Sequence, residues 1–328
     1  MAILLGTAGG LAIFWVYVSL YRLYPELPLT GYIRAILGKW IGWPLGLLYT
    51  LFFIHGAARD LREGSALIIS SVMDQTPLIV VSVVMVLSIV YVLNKGIEVL
   101  ARTAQIFLFI LAILGPISLL LLFASGVIDI NRLLPVLGNG LGPVIQTTFK
   151  QTIEFPHEEV ICFTMLLPYL NHRQKGISAG FAAVLISGIV LSFSTALNMA
   201  ALGIEIADRS TFPLLSTIRL INIGEMIQRL DVFVVLTLII GDFFKVAIFF
   251  YAGVIAAADL TRTKDYRKLV LPVGVIIIIM SMMISSSFVE QIEEGDILLV
   301  TVFLFFGVLL PTFLLVTAVV RKRLGSKT

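Results

Sequence analysis

The chain has a single cysteine in 328 residues, Cys162. One thiol excludes an internal disulfide and any CxxC metal or redox motif, and leaves Cys162 the role of a small apolar packing residue. Charge is scarce as well: Asp, Glu, Lys and Arg make up 13% of the sequence, against about 25% in an ordinary soluble domain. No stretch rich in charge, serine or proline is longer than a loop, so an appended soluble domain has no place to sit. A GxxxxGK[ST] phosphate loop is missing, which argues against an ATP-driven pump. Gly138, Gly140 and Gly142 precede an apolar run and no strand, so they do not form a dinucleotide loop. His157-Glu158-Glu159 lacks the second histidine of HExxH, and Gly241-Asp242 lacks the GxGD pattern, so neither intramembrane protease motif is complete. With no nucleophile and base pair and no metal-ligand spacing, the chain is expected to be no enzyme and to hold no metal or cofactor.

What the sequence does have is apolar surface. Hydrophobic residues make up 59% and the mean hydropathy is +1.05, more than a soluble core can hide. Lipid must therefore be the solvent, and the fold class follows: an all-α polytopic membrane protein. Runs of about 20 apolar residues fall at roughly 1 to 21, 42 to 72, 77 to 93, 103 to 125, 141 to 169, 177 to 203, 231 to 258, 269 to 289 and 297 to 320, which is nine crossings in one domain. Gly6 and Gly10, at GxxxG spacing, suit close helix packing in lipid.

The net charge of +3 and pI near 9.0 come from bases scattered over short loops, not from a groove-sized patch, so no nucleic-acid partner is expected. They read as topology signals. Arg22, Arg34 and Lys39, then Lys95 and Arg102, Arg173 and Lys175, Arg262 to Lys268, and Arg321 to Lys327 alternate with loops carrying Asp74, Asp129, Glu205 and Asp208, and Glu290 to Asp296. The basic loops belong in the cytoplasm, which puts the C-terminus inside and, with nine crossings, the N-terminus outside. Two further stretches, 25 to 41 and 212 to 229, mix apolar residues with arginine at helical spacing and are expected along the interface, the first cytoplasmic and the second external.

Ionisable groups at mid-membrane depth are costly and mark sites by default. The fifth run carries Thr147, Lys150, Glu154, Phe155, His157, Glu158 and Glu159 around Pro156. Proline has no amide hydrogen and clashes with the preceding turn, so the helix should break near Glu154 to Phe155. A break exposes two helix ends of opposite partial charge, the arrangement with which secondary transporters hold a zwitterion. The competing reading is a plain kink whose Glu154 is neutralised by Lys150 at i,i+4. In the seventh run Asp242 and Lys245 share one face at i,i+3, either as an ion pair that orients helices or as a binding or proton-relay site. Arg59, Asp60, Arg62 and Glu63 in the second run are a third candidate: they lie toward its outer half if the helix is continuous from Gly42 to Met73, and merely mark an interface if it stops near Ala58, while Tyr49 and His55, one or two turns earlier on the same helix, read as cavity-facing polar groups.

The stretch YRLYPELPLTGYIRAILGKWIGWPLGLLYTLFF resembles the segment joining two early helices of the spore germination receptor B subunits. EFPHEEVICFTMLLPYLNHRQK is similar to their broken sixth helix, and RLINIGEMIQRLDVFVVLTLIIGDFFKVAIFFYAG to their eighth-helix region. These endospore germination permeases belong to the amino acid, polyamine and organocation transporter superfamily. The resemblance implies a LeuT-like fold of two inverted five-helix repeats with helices one and six broken at the ligand site. On that pattern this chain begins at the second helix, with a first, incomplete repeat at about 1 to 127 and a second at about 141 to 323, and lacks half of the family's pocket.

The function implied by the resemblance is a germinant sensor in the inner membrane of the spore. It binds a small nutrient such as an amino acid and acts beside an A and a C subunit. The alternative is a proton- or sodium-coupled amino acid permease that uses Glu154, Glu158 or Asp242 as its coupling carboxylate. The residues expected at the ligand are Glu154, Phe155, Pro156, His157, Glu158, Thr147, Lys150, Tyr49, His55, Asp242 and Lys245.

Overall fold

The computed structural model describes the chain except residues 136, 139, 149–151, 153–156, 222–230, 285–289, 291–294, 296–298 and 326–328. The described residues form helices and their connections, with no strand among them. Helix α1 spans Ala2–Leu23, α2 Leu29–Leu37, α3 Lys39–Ser71, α4 Leu78–Lys95 and α5 Ile97–Ala124. A short α6, Leu141–Thr147, opens the fifth apolar run, which later winds as tight 3-10 turns over Glu158–Met165 and Leu167–Tyr169. Then come α7 Arg173–Leu202, two short helices α8 Ile204–Arg209 and α9 Pro213–Arg219, α10 Asp231–Thr261 and α11 Arg267–Met283. A π-helical stretch, Leu299–Leu309, runs into α12, Leu310–Gly325.

Seven of these elements are long and apolar enough to cross a membrane: α1, α3, α4, α5, α7, α10 from Val234, and the last helix from Thr301 to Arg323. The eighth expected crossing appears as α11, 17 residues long. The described parts of the fifth run differ in winding, α-helical over Leu141–Thr147 and 3-10 over Glu158–Met165; the expected break at Pro156, with Glu154 and Phe155, lies outside the described residues.

Elements stop where the backbone demands glycine. Gly38, at φ 82°, and Gly96, at φ 110°, adopt a left-handed conformation that costs a side-chain-bearing residue strain, and each ends one helix and starts the next. At Gly38 this reverses α2 onto α3.

The centre of the bundle is the α3–α10 pair, antiparallel and packed as knobs into glycine holes. A Cβ at Gly46 would sit 2.9 Å from Leu260, one at Gly56 2.6 Å from Phe249, and one at Gly64 1.6 Å from Asp242 Oδ2. Without a hydrophobic force between helices in lipid, such close backbone approach is what supplies contact energy. Around this pair lie the buried side chains of Tyr17, Leu20, Tyr49, Phe53, Phe250 and Tyr251. By contrast only 6% of the most apolar stretch of α5 is buried, so α5 stands at the rim of the bundle.

The GxxxG pair of α1 performs the expected task, against an unforeseen partner. Gly6 admits Thr152, whose hydroxyl donates to the Ala2 carbonyl at 2.9 Å. Gly10 admits the ring of His157. Helix α2 is not spread flat on an interface: Leu29, Thr30, Tyr32, Ile33 and Ile36 are all buried, and Arg34 bonds Asp259 of α10 at 2.7 Å while Thr30 donates to the same carboxylate. Arg321 donates to the Ile36 carbonyl and Tyr266 to that of Leu93. The basic loops therefore meet at one end of the bundle. At the other, the Asp129 amide and the Arg132 guanidinium donate to Ala200 and Ala201 at the end of α7.

Candidate functional site

Lys245, midway along α10, reaches two carboxylates on two other elements. Its ammonium lies 3.0 Å from Asp60 Oδ1 of α3 and 2.9 Å from Glu159 Oε1 of the 3-10 segment. The Asp60 side chain is 7% exposed, that of Glu159 19% and that of Lys245 28%, so the group is largely, and Asp60 almost wholly, shielded by the bundle. Taking ions out of water costs several kcal/mol each, and only close, well-aligned partners offset it. The helix geometry explains the meeting: α3 runs unbroken to Ser71, which carries Asp60 into the α10 interface instead of releasing it to a boundary.

Asp242 sits one turn before Lys245, its Oδ2 pressed against the backbone of Gly64. That oxygen is buried and accepts no hydrogen bond, and the same holds for Asp60 Oδ2. Two carboxylates thus hold the ammonium, a third lies one helical turn away, and two carboxylate oxygens are unsatisfied. Such orphan acceptors cost about 1–3 kcal/mol apiece, more when charged, and a group meant only to hold helices together would be better satisfied.

His157 lies at the start of the 3-10 turn, 2% exposed, against Gly10 of α1. Its Nε2 is buried without a hydrogen bond, as is Nε2 of His55 on α3. Cys162, buried one turn beyond Glu159, packs beneath the charged group as a small core residue.

The other expected residues divide. Thr147 is exposed at the end of α6. Glu158 begins the 3-10 turn, and its side chain lies outside the described residues, as do Lys150, Glu154, Phe155 and Pro156 entirely. Tyr49 is fully buried and its hydroxyl donates to the Phe306 carbonyl at 2.8 Å. Of the two readings of Arg59 to Glu63, the continuous helix is the one observed, because α3 runs on to Ser71; Arg59 packs at Gly295, where a Cβ would stand 2.0 Å from its Nη2. Sequence reasoning had placed Asp60 and Glu159 within their runs without joining them to Lys245. The signal available was the isolated Lys245 itself, a mid-span cation that needs more than one carboxylate to balance its burial.

Comparison with known proteins bears on the same chain. Residues 1–289 match the family described as spore germination protein. The chain is 39% identical over 329 residues to spore germination protein KB of Bacillus subtilis (strain 168), an alignment that covers all of this chain and 88% of that relative. It is 25% identical over 333 residues to spore germination protein YndE of the same organism, again with 100% and 88% covered. Spore germination protein A2, also from Bacillus subtilis, is 26% identical over 262 residues, 78% of this chain and 69% of the relative. A match that takes in most of a chain whose helices are built for lipid settles its kinship: this is a multi-pass membrane protein of the spore permease family of spore germination proteins.

Proposed function

We propose that the chain is the nutrient-sensing subunit of a spore germinant receptor and binds a small zwitterion, such as an amino acid, beside the interrupted fifth run. The observation that carries this reading is the convergence of Lys245, Asp60 and Glu159 from three separate elements at mid-span. A zwitterion matches that group charge for charge. Its ammonium answers the unsatisfied oxygens of Asp60 and Asp242, and its carboxylate answers Lys245 or the amide ends freed where the helix is interrupted. His157, with a buried nitrogen lacking a partner, supplies a further polar contact.

Ligand that bridges the 3-10 segment to α3 and α10 favours one packing of the bundle over another, and so shifts an equilibrium that exists without it. The A and C subunits read that shift. The membrane is the inner membrane of the spore, with the basic end of the bundle and the C-terminus on the cytoplasmic side. The names of the relatives support a role in germination, and a permease reading shares the same site.

Reconstitution separates the two. In proteoliposomes carrying the receptor complex, the sensor reading predicts saturable amino acid binding without accumulation when a proton or sodium gradient is imposed. Gradient-driven accumulation would assign the chain to transport instead.

A further inference from the structure

We propose that the cavity at the end of the bundle opposite the basic loops holds the headgroup of an anionic phospholipid, gripped by Arg132 and Arg219. The cavity has a volume of about 510 Å³, inside the range of roughly 300–1,000 Å³ that suits small ligands. Several elements meet around it: Val127 after α5, Arg132 of the turn Ile130–Leu133, Leu202 at the end of α7, Ile206 of α8, and Ser216 and Arg219 of α9.

The two arginines are set differently. Arg132 Nη1 donates to the Ala201 carbonyl, and its Nε lies 3.8 Å from Asp129 Oδ2. These contacts hold the guanidinium at the cavity wall and leave Nη2 with no hydrogen bond among the described residues. The Arg219 side chain makes neither a hydrogen bond nor an ion pair among the described residues. Ser216 accepts from Ser210 at 3.1 Å, which leaves its own hydroxyl hydrogen to donate. The polar groups of the cavity are thus donors, and two of them are guanidiniums. A guanidinium forms a planar fork that takes two phosphate oxygens at once, and it gives up water more readily than an ammonium does. Asp129, Glu205 and Asp208 lie nearby in the chain, but none of them is in the cavity wall. Glu225 and Arg229, in the stretch that follows α9, lie outside the described residues.

The surroundings select a lipid over a dissolved anion. Ile130 and Leu134 flank Arg132 in the chain, Ile204 and Ile206 lie on α8, and all four are more than half exposed. Apolar side chains beside basic ones belong at the boundary between headgroups and hydrocarbon, not in water. An anionic phospholipid supplies both partners, a phosphate for the two forks and acyl chains for the aliphatic side chains. A free phosphate or carboxylate would answer the arginines alone. In the same region Leu215 and Ile218 of α9 pack in one apolar cluster with Val234 and Val235 of α10. A headgroup held here therefore ties α7 to α9 and braces the start of the helix that carries Lys245.

The test is lipid retention in native mass spectrometry of the full-length chain, titrated in detergent with phosphatidylglycerol or with phosphatidylcholine. Wild type should keep one phosphatidylglycerol under activation that strips phosphatidylcholine. Arg219→Gln should bind phosphatidylglycerol roughly tenfold more weakly, the loss of one charged hydrogen bond, and the double variant Arg132→Gln, Arg219→Gln more weakly still. Arg102→Gln removes a base from an exposed pair on α5, and retention there should match wild type, which separates the cavity from charge in general. Because Arg219 makes no polar contact among the described residues, Arg219→Gln should melt with wild type, so this single variant decides the matter whatever Arg132→Gln does to the Ala201 bond. Inorganic phosphate in large excess should fail to displace the lipid. Equal retention of the two lipids by wild type, or undiminished retention in Arg219→Gln, overturns the proposal. Displacement by inorganic phosphate also overturns it and assigns the cavity to a dissolved oxyanion. No amino acid is present in the assay, so neither result bears on the sensor reading.

Discussion

The hydroxyl of Tyr49 donates a 2.8 Å hydrogen bond to the carbonyl of Phe306, and Tyr17 donates to the next carbonyl, that of Gly307. Pro311 explains why those two carbonyls are open. It has no amide hydrogen for Gly307 in α register or for Phe306 in π register, and the π-helical stretch ends just before it. In lipid an unsatisfied carbonyl has no water to turn to, so two tyrosines from α1 and α3 satisfy the last helix. Replacing Tyr49 or Tyr17 by phenylalanine should each cost about 1 kcal/mol and leave ligand affinity unchanged. Melting temperature in detergent, followed with amino acid binding on the same samples, checks both halves.

Lys245→Met leaves Asp60 and Glu159 buried without their cation. Loss of one member of a buried ionic group costs about 3–5 kcal/mol, whereas removal of all its charges together is close to neutral. Lys245→Met alone should therefore be poorly stable, and the triple variant Lys245→Met, Asp60→Asn, Glu159→Gln should recover most of the loss. Yield and melting temperature of wild type and these two variants distinguish this from a lysine that only packs.

The glycine notches predict a position-dependent series. A methyl group at Gly10 would meet His157 at 2.5 Å, and one at Gly64 would meet Asp242 at 1.6 Å; each substitution by alanine should cost about 1–3 kcal/mol through overpacking. Gly115 of α5 has nothing within 4 Å, and alanine there should be neutral or stabilising by up to about 1 kcal/mol. Thermal unfolding of the three variants side by side gives the order.

Charge pairs should differ by burial. Asp259→Asn weakens bonds from Arg34 and Thr30 that are mostly shielded, for about 1.5–3 kcal/mol. The Arg102–Glu98 pair is about three-quarters exposed, and Glu98→Gln should change stability by no more than about 0.5 kcal/mol. Raising salt in the unfolding experiment should erase the second effect and spare most of the first.

The span boundaries were legible because lipid imposes a length and a composition on each helix. The run at 177 to 203 became Arg173–Leu202, and that at 77 to 93 became Leu78–Lys95. What one sequence could not reveal is who faces whom. Asp242 and Lys245 look like a self-neutralising pair at i,i+3, yet Lys245 reaches instead to residues far away in the chain. Asp60 looked like a boundary marker because α3 carries four charges in five residues, and only the continuous helix shows that its face is turned inward. The partner of Tyr49 could not be read from its own helix, because the carbonyl that takes its hydroxyl lies in the last one. The reading of Pro156 as the break rests on sequence, since that residue lies outside the described ones.

The most direct test of the central claim is ligand stabilisation of the purified receptor complex, scanned over the standard amino acids, in wild type and in the charge-neutral triple variant. At a concentration about 100 times its Kd, a true ligand stabilises the folded state by about 2.7 kcal/mol. The account predicts that at least one amino acid raises the melting temperature of wild type and has no effect on a triple variant that is itself folded. Equal stabilisation of both would place the ligand elsewhere and reduce Lys245, Asp60 and Glu159 to a structural joint.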